Sequence, residues 1–176
     1  MKEGQAGIIE ALKYAIQMEL DGKKFYQLAA KESNNKAGKE LFPWLAEQED
    51  EHRKRFERIY KALAADKGWP EIDVKPDKNK KLVTLFAKAI KKAGAAVKAG
   101  QGEFEAVAKA MELEIKSRDY YREQAGKSGS NIARNFYTQI ADEEQGHYLA
   151  LVDYKEYIAD PVGWFTRTEH HMLDGA

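Results

Sequence analysis

Apolar residues recur every three or four positions along most of the chain, which is the period of an α-helix rather than of a β-strand. The pattern predicts four long helices, over residues 5–31, 36–65, 103–127 and 131–159. A shorter helix is predicted over residues 79–98, after a segment with two prolines that breaks the pattern. Pro43 either kinks the second long helix or marks its first turn. Asp160-Pro161 ends the fourth long helix, and a short C-terminal tail follows.

Two ionisable residues interrupt the apolar stripe of the second helix. Glu49 and His52 are in phase with its apolar positions, at steps of three and four residues: Leu45, Phe56, Ile59 and Leu63. The other long helices carry ionisable residues at matching stripe positions: Glu19, Glu114, Glu144 and His147. A stripe that faces a core is normally apolar, so burying these side chains is costly unless something binds them.

An internal repeat relates these positions. Residues 15–26, "AIQMELDGKKFY", align with 110–121, "AMELEIKSRDYY", at an offset of 95 residues. Residues 46–52, "AEQEDEH", align with 141–147, "ADEEQGH", at the same offset of 95. In each half the single Glu precedes the Glu-x-x-His pair by 30 residues. Each half is therefore predicted to be a helical hairpin, and the long segment between them lets the hairpins meet about a pseudo-twofold axis.

The repeated residues have the chemistry of a binuclear metal site. Glu and His three apart on a helix project from the same face, so both can reach one ion. Four carboxylates and two neutral imidazoles carry a formal charge of −4, which two divalent cations would balance. The chain contains no cysteine, which excludes disulfides, zinc ribbons and iron–sulfur clusters within it. Oxygen-rich ligation with one imidazole per metal suits iron or manganese, and zinc can occupy such ligands too.

Other polar residues near these motifs are assigned less specific roles. Tyr26 and Tyr121 lie two turns from their Glu on the same face, and are interpreted as core aromatics, with the alternative that each hydrogen-bonds a metal ligand. Several acids lie off the stripes and are predicted to be solvated surface charge: Glu47, Asp50, Glu51, Glu112 and Glu143. His170 and His171 follow the bundle and are assigned to the tail.

Length and charge favour one soluble domain. The 176 residues are sufficient for one substantial core, predicted as helix pair 5–65, crossover 66–102, helix pair 103–159 and tail 160–176. The formal net charge is zero, so nothing indicates a nucleic-acid or membrane partner. No apolar leader or membrane span is evident, and a cytoplasmic location is expected.

The motifs "MELDGKKFY", "EQEDEH", "MELEIKSRDYY" and "EEQGH" resemble those of the ferritin-like superfamily, and within it the rubrerythrin-like di-iron carboxylate proteins. The resemblance covers about residues 5–159 and implies an all-α fold, a four-helix bundle of two hairpins joined by a long crossover. It also implies two iron ions held by six residues, with Glu49 and Glu144 as bridging carboxylates: Glu19, Glu49, His52, Glu114, Glu144 and His147.

The chain departs from the rubrerythrin pattern in two respects. It lacks the four cysteines of a rubredoxin-type iron site, so electrons are expected to come from another protein. Rubrerythrins usually carry an extra Glu one turn after the Glu of the third helix, where this chain has Ser117, and the repeat partner of Ser117 is Gly22. The resulting symmetric set of four Glu and two His is closer to bacterioferritin-type centres.

Three functions are compatible with these features. The first is a redox enzyme that reduces hydrogen peroxide or dioxygen with an external electron donor, as the resemblance implies. The second is a ferroxidase or other iron-handling protein. The third is a non-enzymatic metal-binding module with a structural or sensing role. The resemblance further suggests a homodimer.

Overall fold

In the computed structural model, residues 3–72, 87–95 and 99–173 are described, and these contain helices but no strand. Five helices follow one another along this part of the chain: α1 (Glu3–Glu32), α2 (Lys36–Ala64), α3 (Gln101–Lys127), α4 (Asn131–Ala159) and α5 (Pro161–Leu173). A further helical segment covers residues 87–93, and the rest of the predicted short helix lies outside the described residues. The prediction of an all-α bundle is confirmed.

The boundaries of α2 resolve the two interpretations of Pro43. The helix begins at Lys36, where the side chain of Asn35 accepts a hydrogen bond of 2.8 Å from the backbone N–H of Ala37. This is the arrangement of an N-cap, which satisfies one of the free N–H groups of the first turn. Pro43 therefore lies inside the helix, and its assignment to the first turn is wrong.

Helix α5 occupies most of the segment that the sequence suggested to be a tail. Its first helical residue is Pro161, a position that tolerates proline because that N–H would have no partner. The side chain of Asp160 accepts a hydrogen bond of 2.9 Å from the N–H of Gly163. The same two residues that end α4 thus start α5, and Trp164 and Phe165 pack against Tyr157 of α4.

The four long helices pair as two antiparallel hairpins. Helix α1 packs along α2, and α3 packs along α4, while α1 also contacts α3 and α2 contacts α4. The apolar core between them is divided into two clusters. One cluster includes Tyr26, Leu45, Val107 and Leu151, and the other includes Leu12, Phe56, Tyr121 and Ile140.

The division of the core locates the candidate site. Each long helix contributes to both apolar clusters, and in each the stretch between the two contributions contains the ionisable stripe residues. A polar layer is therefore enclosed between two apolar layers, away from water. None of the described helices is both long enough and apolar enough to serve as a membrane span.

Candidate metal centre

The six stripe residues lie together in the layer between the two apolar clusters. They come from all four long helices, and each side chain is almost completely buried, although carboxylates rarely are. The relative exposure is at most 4 % for every one of them: Glu19, Glu49, His52, Glu114, Glu144 and His147. The structure thus brings together all the residues that the repeat predicts to be close.

The six residues form two overlapping groups of four. The first group consists of Glu19, Glu49, His52 and Glu144, and the second of Glu49, Glu114, Glu144 and His147. Within each group the available ligand atoms all lie within 4.8 Å of one another. Glu49 and Glu144 belong to both groups, which is the position required of carboxylates shared between two ions.

The two imidazoles turn the same nitrogen toward the carboxylates. Nδ1 of His52 lies 3.5 Å from Glu19 Oε2 and 3.2 Å from Glu144 Oε1. Nδ1 of His147 lies 3.5 Å from Glu114 Oε2 and 3.0 Å from Glu144 Oε2. The rings are stacked, with centroids 5.6 Å apart. Glu144 therefore presents one oxygen to each histidine, as expected for a carboxylate that is shared between two metal positions.

Unpaired atoms at the centre of this cluster fit a metal. Four buried atoms of the set make no hydrogen bond of good geometry in the described part of the chain, although they lie within about 3.2 to 3.7 Å of an oppositely charged group: Glu19 Oε2, Glu49 Oε1, His52 Nδ1 and Glu144 Oε1. Leaving one such atom buried and unpaired costs about 1–3 kcal/mol. All four are oxygen or imidazole nitrogen atoms, the donors that iron and manganese accept. The residues present therefore fit a binuclear metal site of the kind predicted from the sequence.

The carboxylates repel one another in the absence of a metal. Burial raises the pKa of Glu49 well above its usual value, and the charges of Glu19 and Glu144 raise it further. Burial and the nearby Glu144 raise the pKa of Glu114 to about 7. Glu144 differs because its two histidine neighbours outweigh its burial and hold its pKa well below the usual range.

The histidines take up protons in place of metal cations. Burial disfavours a charged imidazole at His52, but Glu144 and Glu19 outweigh it and raise the pKa well above its usual value. At His147 the carboxylates of Glu114 and Glu144 overcome burial in the same way and raise the pKa to about 9. A metal ion binds the deprotonated nitrogen, so metal binding must release these protons.

Two tyrosines connect the hairpins across the site. The hydroxyl of Tyr26 on α1 donates a hydrogen bond to Glu114 Oε1 on α3, and the hydroxyl of Tyr121 on α3 donates one to Glu19 Oε1 on α1. Burial and the adjacent carboxylates raise the pKa of both phenols well above the usual value, so they remain neutral donors. Both interpretations of these tyrosines therefore hold, since each ring lies in an apolar cluster and each hydroxyl contacts a predicted ligand.

Glu143 is not the solvated surface residue that the sequence suggested. It is only 8 % exposed, and its Oε2 lies 2.9 Å from Nε2 of His52. Its other oxygen accepts a hydrogen bond of 2.9 Å from Arg55. Burial alone would raise its pKa, but His52 and Arg55 lower it to about 2. The sequence repeat offered one hint that this position is not simply surface charge, because the equivalent residue in the first half is the neutral Gln48. In the structure Gln48 is buried as well.

The remaining off-stripe acids lie nearer the surface. Glu47 and Glu112 are exposed, and Glu51 is partly exposed. Asp50 is partly buried and forms ion pairs of 2.8 Å with Lys23 and 3.0 Å with Arg53. The side chains of His170 and His171 lie outside the described part of the chain.

A cavity of about 290 Å³ reaches the centre between α1 and α3. Glu49 and Glu114 form part of its wall, and Gly22 and Ser117 lie beside them. A Cβ atom on Gly22 would lie 2.5 Å from Glu49 Oε2, so the glycine leaves space that this carboxylate occupies. The cavity is large enough for water or a diatomic molecule to approach the shared carboxylate.

Comparison with known proteins supports the family suggested by the motifs. The family model for rubrerythrin matches residues 10–155, which include all six clustered residues and both tyrosines. A search of curated proteins finds no match, and a search of solved structures finds none either. Because the family model covers most of the chain, the chain belongs to the rubrerythrin family.

Proposed function

We propose that this protein holds two non-haem metal ions, most simply iron, and uses them to reduce hydrogen peroxide or dioxygen with electrons from an external donor. The observation that supports this proposal is the pair of overlapping four-residue groups with two shared carboxylates. Two irons, when bound, supply the electrons for the reduction, and the protein determines their spacing and surroundings.

Each residue of the cluster has a defined task in this proposal. Glu49 and Glu144 would hold both ions, while Glu19 with His52 and Glu114 with His147 would each complete one position. The phenols of Tyr26 and Tyr121 fix the outer carboxylates through their hydrogen bonds. The two apolar clusters exclude water above and below, which strengthens the interaction of carboxylates with cations.

The cavity between α1 and α3 gives a small substrate its approach to the ions. Its size suits peroxide or dioxygen, and its inner wall includes the shared carboxylate Glu49. Reduction of one peroxide to two waters consumes two electrons and two protons. The chain contains no cysteine for a rubredoxin-type or iron–sulfur relay, so we propose that a second protein supplies the electrons.

A ferroxidase is the second candidate. It is favoured by the positions of Gly22 and Ser117, since the usual extra Glu is absent and the four-Glu, two-His set is symmetric about the shared carboxylates. In that function ferrous iron is the substrate, is oxidised at the centre and then leaves it.

We also propose a homodimer, which rests on the family resemblance and is tested by sedimentation.

Stopped-flow mixing of the anaerobic diferrous protein with peroxide or dioxygen tests these proposals. Fast oxidation by peroxide, followed by repeated turnover with a reductant, supports the peroxide-reducing enzyme. Preference for dioxygen, with ferric iron accumulating beyond two per chain, supports the ferroxidase. If the loaded protein reacts with neither oxidant, a structural or sensing module replaces both. Elemental analysis of protein purified anaerobically from its host distinguishes iron from manganese and zinc.

A further inference from the structure

The outer nitrogens of the two histidines have different surroundings, although their inner nitrogens face equivalent carboxylates. The difference arises at one repeat position, which is Gln48 in the first half and Glu143 in the second. Glu143 of α4, on the second hairpin, lies behind His52 of α2, on the first. The predicted ligands are symmetric about the pseudo-twofold axis, whereas the residues at the outer nitrogens of the histidines are not.

The group behind His52 is a carboxylate, Glu143, which contacts both His52 and Arg55. Nε2 of His52 lies 2.9 Å from Glu143 Oε2, while Nδ1 faces the predicted ligands Glu19 and Glu144. When Nε2–H donates to Glu143, the lone pair of Nδ1 is left free for a metal. Arg55 bonds the other oxygen of Glu143 at 2.9 Å, which fixes the carboxylate and hence the imidazole plane.

In the described part of the chain, no carboxylate lies within ion-pair distance of Nε2 of His147. Among the residues that the structure describes, three carboxylates lie within ion-pair distance of His147, and all three face its Nδ1 atom: Glu49, Glu114 and Glu144. The ring packs edge-on against Trp44, with centroids 5.6 Å apart. Gln48 stands at the repeat position of Glu143, and its Oε1 is buried without a hydrogen-bond partner in the described part of the chain. The repeat position of Arg55 is Ala150, so that charge has no counterpart either.

We propose that Glu143, held by Arg55, is a positioning residue that makes the His52 half of the centre the tighter of two inequivalent metal positions. This inference rests on the proposed binuclear metal binding. A carboxylate behind a ligating imidazole fixes its tautomer and increases its basicity, and removing such a partner typically weakens metal binding about 10- to 100-fold. His147 has no carboxylate at Nε2 in the described part of the chain, so neither effect acts on it from that side.

Titration of the metal-free protein with Co²⁺ under anaerobic conditions, followed by calorimetry and visible absorption, tests the proposal. The unmodified protein should bind two ions, with the first at least about tenfold tighter than the second. Glu143→Gln keeps the size of the side chain and removes its charge. It should lower the affinity for the more tightly bound ion about 10- to 100-fold. The affinity for the other ion should stay within about threefold of that in the unmodified protein.

Single-position variants assign the effect to one half. In a His147→Ala background the remaining ion sits in the His52 half, so adding Glu143→Gln should weaken it at least about tenfold. In a His52→Ala background the same change should alter affinity less than about threefold. Equal effects in the two backgrounds, or no effect in either, would overturn the proposal.

Reciprocal and partial variants keep the proposal testable if one variant folds poorly. Gln48→Glu should raise the affinity of the weaker metal position and reduce the difference between the two affinities. Arg55→Gln should lower the affinity of the tighter position, but by less than Glu143→Gln does. Mössbauer spectra of the diferric protein give a second measurement, because inequivalent irons give two quadrupole doublets and Gln48→Glu should bring them together. If no metal binds to the unmodified protein, the proposed function fails; if two ions bind independently of residue 143, only this inference fails.

Discussion

Raising the pH from about 5 to about 8 should destabilise the metal-free protein. The folded state raises the pKa of Glu114 from 4.5 to about 7 and that of His147 from 6.5 to about 9. At a pH between the unfolded and the folded pKa of each group, the folded chain holds a proton that the unfolded chain has released. The stability linked to these protons is therefore complete below the unfolded pKa and is lost as the pH rises through the folded pKa.

The size of the effect follows from the shift at Glu114. Stability falls by about 1.4 kcal/mol per pH unit for each proton that only the folded state holds. Over the roughly 2.5 pH units between the two values for Glu114 the loss is on the order of 3 kcal/mol. In a chain of this size that corresponds to a fall of roughly 6 to 12 °C in Tm.

Metal should reverse this trend, because it replaces the protons and binds more tightly as they leave. The measurement is Tm of the metal-free and the Fe²⁺- or Mn²⁺-loaded protein at intervals from about pH 4.5 to about pH 8 under anaerobic conditions. The difference between loaded and metal-free Tm should grow with pH and should nearly vanish at about pH 4.5, where protons compete best.

Glu114→Gln is the matched control, since its side chain has the shape of a protonated Glu and does not titrate. The metal-free variant should lose less stability as the pH rises and should be more stable than the unmodified protein above about pH 7, while binding metal more weakly. The reasoning is refuted if metal-free Tm is constant or rises over this range, or if Glu114→Gln leaves the pH dependence unchanged.

Three further changes test individual roles. Glu144→Ala removes a shared carboxylate and should lose both metals, whereas His52→Ala should retain one per chain; elemental analysis decides, and the reverse result would make the assigned roles wrong. Gly22→Ala should lower the metal content at both positions, because its Cβ would meet Glu49 Oε2 at 2.5 Å; unchanged content would show that Glu49 moves freely. Tyr121→Phe leaves a buried carboxylate oxygen unpaired and should cost the metal-free protein about 1–3 kcal/mol in urea unfolding at neutral pH; no change would contradict the buried hydrogen bond.

The helices and the clustering of the candidate residues were predictable because each depends on periodicity. The predicted range 131–159 coincides with α4, and 5–31 differs from α1 by a few terminal residues. A stripe position faces the core whatever residue occupies it, so Glu49 and His52 could be placed inside from their phase alone. The repeat then related the two hairpins, which no local pattern could do.

Residues that contact the candidate ligands from behind, such as Glu143, were harder to predict, because they lie at the edge of the apolar stripes. Whether Glu143 is buried depends on how close the facing helix approaches, and only the fold determines that distance. Asp160-Pro161 indicated the end of α4, and the sequence pattern did not show that the same two residues also start α5. Tertiary packing thus decides the burial of Glu143, whereas Asp160 and Pro161 serve two helix ends at once.

The crossed tyrosine bonds also bear on how such a chain could arise. One hairpin by itself has a phenol and a carboxylate that cannot reach each other, because each meets its partner only on the opposite hairpin. Two copies of an ancestral hairpin, related by a twofold axis, would satisfy both bonds at once. Gene duplication and fusion of such a homodimer would inherit a complete site, and only then could one copy diverge from the other. Gln48 and Glu143 are positions where that divergence is visible beside the centre.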